Sequence, residues 1–151
     1  MRTVDPTRTN QWLAEQLHLI HQQYFADVPV SNRLQVRFGR ITKTRLGSIT
    51  SRPRPRKGDR DAKPERSIIT INGLLRDERV PIEVILAVLG HEFVHYTHGF
   101  HSPLPQLYRF PHQSGIVDAE LTKRGMQPLL NAETRWTRDQ FVPLYIDYMK
   151  K

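Results

Sequence analysis

A chain of 151 residues, 38% apolar and 25% charged, has the length and balance of a single folded domain over 1–151 with a real core. Cysteine is absent, which excludes disulfides and thiolate metal sites and leaves histidine and carboxylate as metal donors. No apolar run approaches the roughly eighteen residues of a membrane span and no secretory leader pattern opens the chain, so a cytoplasmic protein without a membrane partner is expected; its net charge of +8 favours polyanions.

In chain order, the first expected element is an amphipathic helix from about Thr9 to Phe25. Trp12, Leu13, Leu17, Ile20 and Tyr24 recur there every three or four residues. Asp27, Pro29, Ser31 and Asn32 supply a turn. Leu34, Val36 and Phe38 then alternate with Gln35, Arg37 and Gly39, the pattern of a half-buried strand. A second strand, thin in apolar residues, is placed around Thr44 to Ser51.

The segment from Arg52 to Arg66 is rich in proline and charge and predicts a long mobile hairpin loop. Its seven basic residues (Arg52, Arg54, Arg56, Lys57, Arg60, Lys63, Arg66) outnumber Asp59, Asp61 and Glu65, for a net +4. Arg66 to Asn72 carries β-branched residues and ends on the turn signal Asn72-Gly73, the clearest strand of the chain.

Pro81 suits the first turn of a helix running from Ile82 to about His98 and stopped by Gly99. This helix is apolar around most of its circumference and should be the buried central helix. His101 to Gln113, with three prolines, predicts an ordered loop. A short helix from Ile116 to Arg124 closed by Gly125 follows, and Asn131 is placed as the cap of a last helix reaching Tyr148, with Pro143 kinking or breaking it. The elements add up to an α+β fold: a small, mostly antiparallel three-stranded sheet packed on the central helix, with helices at both ends. The strand Ser67–Ile71 has two readings of equal weight: an edge open to an extended ligand, or an ordinary sheet strand with no ligand role.

The central helix carries His91-Glu92-Phe93-Val94-His95. Histidines four apart on a helix project about 40° apart, so their imidazoles converge on one ion, the geometry of the HExxH zinc signature. Glu92 lies near that ion without having to ligate it, where a general base for a metal-bound water must sit. Three fixed positions arise by chance often, but burying His91, Glu92 and His95 together without a partner is costly. A catalytic zinc needs a third protein ligand. His101, just past the Gly99 break, is favoured ahead of Glu120 on the following helix, with His112 a further candidate; His98, one turn beyond His95, would strain a tetrahedral site.

The run INGLLRDERVPIEVILAVLGHEFVHYTHGFHS resembles the SprT-like and YgjP-like metallopeptidases, which place a strand, a proline-bearing link, an HExxH helix and a further histidine in this order. The resemblance implies a zincin-like fold, Zn2+ as cofactor, a peptide or protein substrate, His91, His95 and His101 as ligands and Glu92 as base. In the minigluzincin-type version a glutamate on the next helix, here Glu120, replaces His101. A competing function uses the basic loop for DNA: Arg52, Arg54, Arg56 and Lys57 would neutralise phosphates, with the metal structural or non-catalytic.

Overall fold

Thr9 accepts a hydrogen bond from the Trp12 backbone N–H through its side chain and so starts helix α1, Asn10–Tyr24. The computed structural model describes residues 8–54 and 63–150. Within them β1 is Arg33–Phe38, β2 is Gly47–Arg52 and β3 is Arg66–Ile71. Central helix α2 is Ile82–Thr97, followed by α3, Ile116–Lys123, α4, Gln127–Trp136, and α5, Val142–Met149.

The sheet is mixed rather than mostly antiparallel. Its order is β1-β3-β2, with β3 parallel to β1 and antiparallel to β2. The chain leaves β1, crosses over the end of the β3 position, and returns as β2 on the far side. Asn72, only 5% exposed, holds that crossover. Its Nδ2 donates to the carbonyls of Thr42 (2.8 Å) and Arg45 (2.9 Å), while its Oδ1 accepts from Thr42 N (3.3 Å) and Leu74 N (3.0 Å). The last of these caps a 3-10 turn over Gly73–Arg76 that the sequence reading placed only as a turn. Strand β3 is therefore central and paired on both sides, an ordinary sheet strand rather than an open edge. The edge beside α2 is β2.

Pairing in register puts Val36, Ile69 and Ile49 on one face of the sheet, with Phe38, Ile71 and Gly47 in the next row. That face meets α1 and α2: Val36, Ile69 and Ile71 share a core cluster with Leu13, Leu17, Val84, Val88 and Phe93. Helix α2 is buried around most of its circumference, as its composition requires. The corner ahead of it is fixed by Asp77, fully buried, whose carboxylate accepts from Arg79 N (2.8 Å) and the Arg79 guanidinium (2.8 Å).

The C-terminal helices begin earlier than Asn131. Pro128 in the first turn of α4 is the stronger start signal, since its missing N–H costs nothing there. A π-helical stretch, Thr137–Phe141, then joins α4 to α5. The wider turn accommodates Pro143 without a break, and Trp136, Phe141, Leu144 and Tyr148 still face inward.

Candidate metal centre

His91 and His95 stand one turn apart on α2, their ring centroids 4.9 Å apart. The helix ends at Thr97, and the chain turns off at Gly99, whose φ of +85° favours glycine and where a Cβ would clash with the Pro105 carbonyl oxygen. The following loop packs back against that end: Ser102 Oγ donates to Tyr96 O (2.7 Å) and Leu107 N to His98 O (2.9 Å). This path delivers His112 to the motif. Its Nε2 lies 3.0 Å from His95 Nε2 and 3.3 Å from His91 Nε2, and the three potential ligand atoms all fall within 4.8 Å of one another.

Three imidazole nitrogens meeting at such distances suit a shared cation better than each other. Two ligand nitrogens on a tetrahedral zinc at its usual bond length are about 3.3 Å apart. Hydrogen bonding alone leaves a conflict, because His112 Nε2 has one proton or one lone pair to offer two neighbours. His95 is 4% exposed, and its Nδ1 has no hydrogen-bond partner among the described residues, so the ring's polar contact is made through Nε2, toward the centre. Burial lowers the His95 pKa to about 3 and that of His91 to about 4, with the neighbouring imidazoles adding to both shifts and Asp118 opposing the second. Both rings are thus neutral, the state a metal ligand requires.

Glu92, 4% exposed, sits between them in sequence, its carboxyl pushed up to about 7 by burial and held back slightly by Arg45. Gly47, the first residue of β2, lies over it: a Cβ there would come within 3.1 Å of Glu92 Oε2 and 2.9 Å of Val88 Cγ1. The crossover held by Asn72 thus carries both Arg45 and Gly47 to the motif glutamate.

The other candidates are engaged elsewhere. His101, with φ +55°, has its Nδ1 3.0 Å from Ser51 Oγ, and its carbonyl accepts from Ser67 Oγ, so it ties the loop to β2 and β3. Glu120 accepts from His98 Nε2 (3.1 Å) and Arg124 Nε (2.7 Å). Burial raises its pKa, but those two partners more than offset that and hold it below the ordinary value. Arg124 continues the chain to Asp27 (2.7 Å), making a structural relay from α2 to the end of α1. The structure therefore groups His112, not His101 or Glu120, with the motif pair. Arg52 ends β2 and Arg54 is exposed just beyond it, whereas Arg56 and Lys57 lie outside the described residues.

Sequence reasoning gave no role to Arg45, Gly47 or Asp118, because each reaches the motif through a long-range contact that local periodicity does not register. For His112 the available signal was a histidine in an ordered loop after an HExxH helix. No protein-family model matches the chain, and neither the curated proteins nor the solved structures give a match. No helix among the described residues is long and apolar enough to cross a membrane.

Proposed function

We propose that this chain is a zinc-dependent peptidase of the HExxH type, with His91, His95 and His112 as ligands and Glu92 as general base. The observation that carries the reading is the convergence of three imidazole nitrogens beside a buried carboxyl with its pKa near 7. An all-imidazole donor set suits zinc better than magnesium or calcium. Zinc bound by three histidines acidifies a water molecule and polarises a carbonyl.

Glu92 accepts a proton from the water as its oxygen bonds to the peptide carbonyl carbon, then delivers that proton to the nitrogen as the C–N bond breaks. A pKa near neutrality suits both halves of that exchange. The free edge of β2, beside Glu92, offers a place for an extended peptide to pair by its main chain. The resemblance of the Ile71–Ser102 run to SprT-like metallopeptidases, and the zincin-like fold that it implies, belong to this reading. So does a cytoplasmic site of action, which the lack of cysteine fits.

Metal content and turnover of an unstructured protein substrate test it together. The wild type should bind one zinc per chain; His112→Ala should lose it, while His101→Ala and Glu120→Ala keep it. Glu92→Gln should retain zinc and lose about 10²–10⁴-fold in turnover. Full activity in Glu92→Gln, or a wild type that takes up no metal, would end the proposal.

A further inference from the structure

The sheet has a second face, turned away from the metal centre. Register places Arg33 opposite Arg66 on one side and Arg52 opposite Arg66 on the other, so three arginines stand abreast across all three strands. They lie on the face opposite Gly47 and the core residues Val36, Ile69 and Ile71, because successive strand residues alternate faces. Arg37 shares that face with Arg33, and both are exposed. Thr50 and Thr70 lie among them as small hydroxyl residues.

Like charges directly opposite one another on a sheet repel. Here nothing within the described chain relieves them. The ion pairs among described residues involve Arg79, Arg124, Arg138 and His98. Among the described residues Arg52 donates to the Ser51 carbonyl (3.0 Å), and Glu65, beside Arg66 in sequence, is exposed and meets Arg33 only through its backbone carbonyl. An arrangement that is unfavourable by itself becomes favourable when an external anion bridges it.

We propose that this outer face of the sheet binds the phosphate backbone of duplex nucleic acid. The row spans about 10 Å across three strands, and Arg33 to Arg37 spans about 13 Å along β1, a spread that matches several phosphates rather than one. Guanidinium forks suit phosphate oxygens, and the threonine hydroxyls are further donors. The residues sharing this face include no aromatic side chain for stacking unpaired bases, which favours a duplex, presenting only its backbone, over a single strand. The surface is independent of the metal reading and lies on the other side of the sheet.

The test is fluorescence anisotropy of a labelled mixed-sequence 20-base-pair duplex with the full chain between about 50 and 200 mM KCl. The triple variant Arg33→Gln, Arg37→Gln, Arg66→Gln should bind at least about tenfold more weakly, with its log–log salt slope shallower by about three. Arg33→Gln and Arg37→Gln alone, both at exposed positions, should each lower the slope by about one, which keeps the test valid if the triple variant misfolds. A charge-matched control at the exposed Lys123, Arg135 and Lys150 should leave the slope within about one of wild type. Equal loss in that control would reduce the effect to net charge and overturn the proposal. So would an unchanged triple variant, tighter binding of the matching single strand, or binding to phosphatidylserine vesicles in place of duplex.

Discussion

A carboxyl group only 4% exposed and flanked in sequence by His91 depends on what its neighbours leave room for. At Glu92 the closest such neighbour is a missing side chain. Gly47 lets the start of β2 lie against the carboxyl, and its Cβ would sit 3.1 Å from Oε2 and 3.2 Å from Cγ. Gly47→Ala must therefore displace either the strand or the Glu92 carboxyl. The expected result is a stability loss of about 1–3 kcal/mol with zinc content unchanged and turnover reduced more than tenfold. Zinc-loaded Gly47→Ala with wild-type kinetics would show that the contact has no part in orienting Glu92.

At the scale of elements, the crossover between β1 and β2 is the least local part of the fold, and one side chain clips it. Replacing Asn72 with alanine removes its side-chain bonds to Thr42, Arg45 and Leu74 and leaves buried backbone groups unmatched. Urea unfolding should register a loss of about 2–4 kcal/mol; a loss below about 0.5 kcal/mol would mean that the crossover stands without it. This region also marks the limit of what the sequence reveals. Helices α1 and α2 and strands β1 and β3 follow from apolar spacing, a local property that survives into the structure nearly residue for residue. Strand order does not follow from spacing, because whether β3 pairs beside β1 or only beside β2 depends on where an eight-residue link can lie, and Asn72 decides that from thirty positions away. The grouping of His112 with the motif has the same origin. Distance along the chain favoured His101, yet the positive φ values at Gly99 and His101 turn the loop so that His101 faces Ser51 and His112 returns to α2.

Over the whole molecule, the metal-free protein should carry its buried ionisable groups as a pH signature. The unfolded chain protonates His91 and His95 near 6.5, whereas the folded chain resists until about 4 and about 3, so their contribution to stability is lost as pH falls through that interval. Glu92 acts oppositely: burial raises it from 4.5 to about 7, so its contribution declines as pH rises across that range. Two imidazoles outweigh one carboxyl, and chelator-treated protein should gain stability between pH 4.5 and 6.5. Glu92→Gln removes the opposing part and should steepen the gain. Denaturant midpoints at pH 5, 6 and 7 check both, and a midpoint that falls over this window in wild type would contradict the assignment.

The helix presents His91 and His95 as soon as it forms, but His112 arrives on a loop anchored by a few bonds to the helix end. With zinc bound as proposed, occupancy of the centre and the placement of residues 101–113 would be one equilibrium viewed from two sides. On that reading, whatever firms the loop, including a peptide lying along β2 near Ser51 and His101, would tighten the hold on the ion by the same factor by which the ion would firm the loop. Substrate and metal would on this account retain each other, and the resting protein would be the state from which the ion escapes most readily.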